Sequence, residues 1–158
     1  LGGVERVTAV NRTWTRTRLH PDTGQPAPVE LPESVNVIAE LAAGAVGVYL
    51  FNGVSSHGPS DHVAIHGTEG TIVYDFNADE SAEQIEAAHR GDEAMARVPI
   101  PDHERRHWTV EADFIHAVRT GEADPILPDV HAGFRYMAIL DAVHRSAATG
   151  QAVQVAVQ

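Results

Sequence analysis

The chain has 158 residues and carries 22 acidic against 11 basic side chains, which gives a net charge of −11. This acidic balance argues against nucleic acid or an anionic membrane surface as a partner, because both bind basic surfaces. The sequence has no Cys, and every basic residue is Arg, so disulfides, thiolate chemistry, Cys-bound zinc and a catalytic lysine are excluded.

The first third of the chain predicts a strand, a loop and a hairpin. Residues 5–18 are rich in β-branched side chains, and we expect one long strand there. Residues 20–32 contain four prolines, which fix φ and remove backbone donors, so this segment is predicted to be a loop. Strand-like runs at 34–41 and 45–54 flank a short Gly-containing turn, an arrangement typical of a β-hairpin.

The middle of the chain predicts further hairpins. Residues 62–66 and 71–76 read as two strands around a glycine-rich turn. Residues 77–100 permit two interpretations. A capping pattern at 81–84 favours a helix, whereas the turn at Gly91 favours another hairpin, and we favour the hairpin. Its strands would cover 84–89 and 94–100.

Helical periodicity dominates the last third of the chain. Apolar side chains recur at helical spacing from Val110 to Val118, and Gly121 follows as a stop signal. This pattern predicts a helix of roughly 12–16 residues. A second helix is predicted between Asp129, a suitable N-cap, and Gly150.

A short strand is predicted over 153–157, where Val alternates with Gln or Ala. The element order is therefore strands, two helices and one strand. Strands joined by hairpins form an antiparallel sheet, and helices grouped late in the chain cover one face of it. The predicted fold class is α+β, an open, mostly antiparallel sheet with helices packed on one face. No G-x-G-x-x-G occurs, so no Rossmann phosphate-binding loop is expected in this chain.

One motif suggests metal chemistry. Residues 103–107 (HERRH) match the H-E-x-x-H pattern, in which His103 and His107 would bind zinc while Glu104 polarises a water molecule. Two prolines lie just upstream, so the motif falls at or before the start of a helix, and two Arg side chains would bring positive charge next to the cation. We therefore favour a solvated surface segment and keep the zinc hydrolase as an alternative.

A few basic side chains are candidates for ligand contacts. Arg12, Arg16 and Arg18 lie at even spacing on the predicted first strand and would share one face. Their guanidinium groups suit carboxylates, phosphates or sugar hydroxyls, although they would pair equally well with acids across the sheet. His57 lies at a predicted hairpin end, and His131 lies at the start of the last helix. Loops on a rigid sheet often carry binding groups.

Five segments carry recognisable motifs in sequence order. They are residues 1–9 (LGGVERVTA), 36–51 (NVIAELAAGAVGVYLF), 63–72 (VAIHGTEGTI), 113–121 (DFIHAVRTG) and 140–153 (LDAVHRSAATGQAV). In order and spacing they resemble the C-terminal domain of the glucose–fructose oxidoreductase / inositol dehydrogenase family (Gfo/Idh/MocA). The resemblance covers nearly the whole chain.

The resemblance implies a fold and a context. Family members place a Rossmann domain before an open antiparallel sheet, so 1–158 would be a single C-terminal substrate and oligomerisation domain whose N-terminal nucleotide-binding domain is absent. The nucleotide-binding glycines, the Glu-Lys-Pro lysine and the acid–histidine pair for proton transfer would all belong to that absent half. No catalytic, cofactor-binding or metal-binding residue is therefore assigned to this chain.

The implied activity of the complete protein is NAD(P)-dependent oxidation or reduction of a sugar, polyol or related alcohol. We expect NAD or NADP to be bound mainly by the missing domain, and this chain alone to be inactive. It would form the wall of the substrate pocket through Arg16, Arg18, His57 and His131, and a homo-oligomer interface through the sheet face. The expected compartment is cytoplasmic. A non-catalytic binding or assembly domain is the other alternative.

Overall fold

The structure is a computed structural model that describes residues 2–57, 61–76, 84–104, 108–122 and 128–156. The chain forms two units. The first comprises Leu1–Ser56 with Pro125–Gln158, and the second comprises His57–Asp124. In the described residues the elements are, in chain order, β1 (Val4–Arg12), β2 (Thr17–Leu19), β3 (Pro26–Pro28), β4 (Ser34–Leu41), β5 (Val46–Asn52), β6 (Asp61–His66), β7 (Gly70–Phe76), β8 (Gln84–His89), β9 (Ala96–Arg97), α1 (Val110–Thr120), α2 (Val130–Thr149) and β10 (Val153–Gln154).

The first unit is built on a four-stranded antiparallel sheet in the order β10-β1-β4-β5, with α2 packed against it. Alternation along the strands places every second apolar side chain beneath the helix. The buried cluster consists of Val7, Ala9, Val37, Ala39, Leu41, Ala142 and Val143. Fully burying one such Val or Leu side chain contributes about 1.5–3 kcal/mol, so this cluster is the main source of stability for the first unit.

Helix α2 begins and ends where the sequence predicts. The carboxylate of Asp129 accepts a hydrogen bond from the backbone N–H of Ala132 at 2.7 Å, which satisfies one of the free donors of the first turn. Gly150 ends the helix with φ +69°, and its N–H donates to the carbonyl of Ser146 at 2.8 Å.

Ser146 joins three parts of the first unit. Its side chain is completely buried. The hydroxyl oxygen accepts a hydrogen bond from the backbone N–H of Ala9 in β1 at 2.8 Å. The hydroxyl also donates to the carbonyl of Gln151, between α2 and β10, at 2.7 Å. The helix is thereby fixed to the central strand.

The opposite surface of this sheet carries exposed apolar side chains. Cross-strand register pairs Thr8 with Ile38 and Ile38 with Val48, so these residues share one face. The same alternation adds further exposed residues from β1 and β5. We call this surface the open face, and it consists of Thr8, Val10, Ile38, Val46, Val48 and Leu50.

The second unit contains a four-stranded antiparallel sheet in the order β6-β7-β8-β9, and helix α1. The hairpin interpretation of residues 84–100 is confirmed, because β8 pairs with β9. Gly70 lies close to the backbone of the neighbouring strand: a Cβ atom there would lie 2.3 Å from the carbonyl oxygen of Ala88. None of the residues of α1 is buried.

The prediction of one long first strand over 5–18 is wrong. The strand ends at Arg12, because the backbone N–H groups of Trp14 and Thr15 turn to the carboxylate of Glu33 instead of to a neighbouring strand. Arg12 and Arg18 therefore lie on different strands, and the expectation of a shared strand face is wrong as well.

The predicted loop over 20–32 is also partly wrong, because β3 pairs with β2 in a two-stranded ribbon. Its central pair is Arg18 with Ala27, between two prolines. Prolines are tolerated in such an edge strand because their missing donors do not interrupt a larger sheet.

The predicted α+β class, with mostly antiparallel open sheets and two helices, is confirmed. In the part of the chain that the structure describes, neither helix has the length and apolar character needed to cross a lipid bilayer.

Candidate functional site

A cleft of about 590 Å³ lies at one end of the first unit. The beginning of β4 and the end of β5 are paired there, with Val35 opposite Phe51. The segment between β3 and β4 forms another wall. The side chains that define the chemistry of the cleft are Arg18, Glu30, Glu33, Val35, Phe51 and Asn52.

Glu33 is the most constrained of these side chains. Only 8% of the residue is exposed. Its carboxylate accepts hydrogen bonds from the backbone N–H groups of Trp14 and Thr15, both at 2.8 Å. The guanidinium of Arg18 donates to the other carboxylate oxygen at 2.5 Å. Glu33 therefore holds the turn that ends β1 and one side of Arg18 at the same time.

These contacts lower the pKa of Glu33 from its usual 4.5 to about 2. The largest cause is the hydrogen bond from the backbone N–H of Thr15, and the hydrogen bonds from Trp14 and Arg18 act in the same direction. Desolvation raises the pKa but is outweighed. The carboxylate is therefore ionised at any physiological pH and permanently faces the Arg18 cation.

The remaining lining offers an apolar surface and a few polar groups. Phe51 is 61% exposed and contributes an aromatic ring to the lining. The side-chain oxygen of Asn52 accepts from the backbone N–H of Val54 at 3.0 Å, which leaves its amide group as a donor. Glu30 is exposed and contributes a second carboxylate. This combination of an aromatic wall with a few fixed polar groups is typical of small-molecule sites.

The structure brings only part of the predicted contact set to the cleft. Arg18 lines it. Arg16 is exposed in the turn before β2, and its carbonyl accepts from the N–H of Val29, which lines the cleft. His131 is exposed in the first turn of α2 and is not among the described lining residues. His57 belongs to the second unit and has φ +62°, an uncommon conformation for a residue other than glycine.

Sequence analysis missed Glu33 and Phe51. A usable signal for Glu33 was its position directly after a proline and before an apolar alternating strand, where a carboxylate is expected to need partners. Phe51 was assigned to a strand, and the pattern gave no sign that its ring stays uncovered. Both positions depend on how the turns pack at the end of the sheet.

The zinc interpretation gains no support from the geometry. His103 and Glu104 lie in a short 3-10 turn and are largely exposed, with His103 Nε2 3.7 Å from Glu104 Oε1. Residues 105–107, including His107, lie outside the described residues. Among the residues that the structure describes, no group of three or more His, Asp or Glu side chains is placed to hold a metal ion.

Comparisons with known proteins indicate a family. A family model described as "Oxidoreductase family, C-terminal alpha/beta domain" matches residues 1–155. The structure is similar to levoglucosan dehydrogenase in complex with NADH and L-sorbose, with 26% identity and a TM-score of 0.78. It is also similar to an NAD binding oxidoreductase from Klebsiella pneumoniae, with 20% identity and a TM-score of 0.80. A third similar structure is the aldose-aldose oxidoreductase from Caulobacter crescentus complexed with glycerol, with 18% identity and a TM-score of 0.71.

These matches use nearly all of this chain but less than half of each similar protein. The levoglucosan dehydrogenase match covers 100% of this chain and 46% of that protein. The shares are 100% and 47% for the Klebsiella protein, and 97% and 42% for the Caulobacter protein. A search of curated proteins found no significant match.

Proposed function

We propose that the full-length protein is an NAD(P)-dependent oxidoreductase of a sugar, polyol or related alcohol, since the chain belongs to the Gfo/Idh/MocA oxidoreductase family. Within that family it corresponds to the C-terminal alpha/beta domain. The observation that carries this proposal is the match of the family model over residues 1–155, supported by the similarity to levoglucosan dehydrogenase. Because this chain has no glycine-rich phosphate-binding loop, we assign nicotinamide nucleotide binding mainly to a preceding domain.

We assign this chain a binding role rather than a catalytic one. Arg18 and Arg16 would contact substrate hydroxyls from the cleft and its adjoining turn, and His57 and His131 remain proposed contacts from outside the cleft. Positioning a substrate through several fixed groups lowers the barrier that the reacting groups must overcome. Hydride and proton transfer would then use the nicotinamide and side chains of the preceding domain, and the 158-residue chain alone would be inactive.

We further propose that the open face binds a second copy of the same protein. The face carries exposed apolar side chains on three adjacent strands. Beside its apolar residues, Arg6 donates to both carboxylate oxygens of Glu40, with its Nε 3.0 Å from Oε2. Because this ion pair is internally neutral, it adds no net charge that would oppose an identical copy. A twofold interface of this kind is self-complementary by symmetry.

The proposed activity is tested with the full-length gene product. Purified protein is incubated with NAD⁺ or NADP⁺ and a panel of neutral sugars and polyols that includes levoglucosan, and NAD(P)H formation is followed at its absorbance band. We expect turnover with at least one substrate, and no tight NADH binding by the isolated 158-residue chain. Failure to bind either nucleotide, together with absence of turnover, would refute the proposal in favour of a non-catalytic binding or assembly domain.

The proposed interface has its own test. Val48→Glu places a charge on the open face, and we expect it to reduce the oligomer mass measured by light scattering or sedimentation. Leu19→Glu is the matched control, since Leu19 is 71% exposed on β2 and lies outside the open face. An unchanged mass in Val48→Glu would contradict the interface.

A further inference from the structure

The charges that line the cleft differ from those of an anion-binding site. Arg18 is the one cation among the lining residues that the structure describes, and its guanidinium is already paired with the buried carboxylate of Glu33 at 2.5 Å. The exposed carboxylate of Glu30 adds a further negative charge. Among the described lining residues there is thus one more negative than positive group, and a carboxylate or phosphate entering the cleft would meet net repulsion from them.

The hydrogen-bonding groups suit hydroxyls instead. The side chain of Arg18 is 57% exposed, so part of its fork of N–H donors remains accessible beyond the bond to Glu33. The amide of Asn52 adds a donor, and the carboxylate of Glu30 adds an acceptor. A hydroxyl group both donates and accepts, so a ring with several hydroxyls satisfies all three groups without bringing any charge.

The shape of the lining suits a saturated ring. Phe51 is exposed on the edge strand β5 and lies beside the partly buried Val35. A pyranose or cyclitol ring has a face formed by C–H groups that packs on such an apolar surface while its hydroxyls point outward. Aromatic walls with a few convergent polar groups orient ligands in this way.

We propose that this cleft binds a neutral polyhydroxylated ring, stacked on Phe51 and held by Arg18, Glu30 and Asn52, and that it rejects sugar acids and sugar phosphates. The proposal rests on the proposed function and narrows its substrate class. Within it, Glu33 is a positioning residue: it neutralises Arg18 and fixes the direction of its guanidinium.

The test uses the full-length protein and matched ligands. The KM, or the Kd from calorimetry, is measured for D-glucose and D-galactose against D-glucuronate, D-galacturonate and glucose 6-phosphate, which share the ring and differ in charge. We expect a neutral sugar to be preferred. Phe51→Ala is expected to raise KM or Kd for the neutral sugar by about 3- to 10-fold, in keeping with the energy of aromatic contacts. Leu19→Ala, an exposed apolar residue outside the cleft, serves as the control and should change nothing.

Two further variants separate the effect of the carboxylate charges on ligand binding from the effect of Glu33 on the fold of the turn. Glu33→Gln removes the negative charge next to Arg18 and should improve binding of the acidic sugars by at least about fivefold, an effect that falls as salt is raised. Glu30→Gln should act in the same direction without disturbing the turn that Glu33 holds. If Glu33 had only a structural role, Glu33→Gln would weaken the binding of neutral and acidic ligands alike.

The results distinguish this inference from the proposed function. Equal or tighter binding of the acidic sugars by the wild type overturns it. If Phe51→Ala turns over a neutral sugar with unchanged KM, the proposed role of the cleft is wrong, whereas the proposed oxidoreductase function still holds. A wild-type protein that binds neither nicotinamide nucleotide and shows no turnover refutes the proposed function. Direct binding of the matched sugars then still tests the proposed role of the cleft.

Discussion

We expect Ser146→Ala to be among the most damaging conservative substitutions in the first unit. The Ser146 hydroxyl is fully buried and serves two backbone groups, the N–H of Ala9 and the carbonyl of Gln151. Alanine is a good helix former, but it lacks the hydroxyl group, so both hydrogen bonds are lost at once. The variant therefore isolates the contribution of a single oxygen atom to the contact between α2 and β1.

The size of the effect follows from the surroundings of the two partners. Leaving a buried donor without a partner costs about 1–3 kcal/mol, and Ala9 is only 3% exposed. Gln151 is exposed, so water can replace the lost hydroxyl at its carbonyl and the cost there is smaller. The free energy of unfolding should fall by about 2–3 kcal/mol. For a chain of this size the midpoint of thermal unfolding would then fall by roughly 4–12 °C.

The assay is thermal and urea unfolding followed by circular dichroism, with Ser55→Ala as the control. Ser55 is exposed, so the same substitution there should change the unfolding free energy by less than about 0.5 kcal/mol. Amide hydrogen exchange gives a local readout, because the Ala9 N–H should lose protection first. A loss of less than about 0.5 kcal/mol in Ser146→Ala would refute the reasoning.

Three further outcomes are expected. The Glu33 carboxyl should titrate near pH 2 in a carbon NMR titration. Because its pKa is lowered from 4.5 to about 2 in the folded protein, the stability that Glu33 contributes should be present above about pH 4.5 and be lost as the pH falls towards 2. A midpoint near 4.5 would show that the hydrogen bonds from Trp14, Thr15 and Arg18 are not formed. Gly70→Ala should weaken the second sheet by about 1–3 kcal/mol through overpacking, whereas Gly67→Ala, where the nearest atom is 3.5 Å away, should be tolerated; equal unfolding free energies would contradict this. Asp129→Ala should fray the start of α2, seen as faster amide exchange at Ala132, and unchanged exchange would argue against the cap.

Local signals were sufficient for much of the fold. Asp129 and Gly150 bound α2 as expected because a capping carboxylate and a left-handed glycine act within one helical turn. The hairpins were predicted for the same reason, since alternation and turn glycines lie close together in sequence. The break after Arg12 could not be found this way, because the group that causes it, Glu33, lies about 20 residues further along the chain.

The site was less predictable than the fold. Arg18 was identified as a binding candidate from its charge and spacing, but its partner depends on the ribbon that β2 forms with β3. That ribbon contains prolines, which local rules assign to loops. The exposure of Phe51 depends on α2 packing over β1 rather than over the edge strand β5. Such facts concern packing between distant segments, and one sequence carries little trace of them.

The discontinuity of the first unit has a consequence for synthesis. Its helix α2 and strand β10 are encoded after the whole second unit (57–124). At ribosomal speeds of about 5–20 residues per second, those 68 intervening residues take roughly 3–14 s to translate. During that interval β1, β4 and β5 already exist, whereas the helix that buries Val7 and Val37 has not yet been made. Until α2 is made, nothing in the chain can cover the inner face of this sheet, so both of its faces keep exposed apolar side chains.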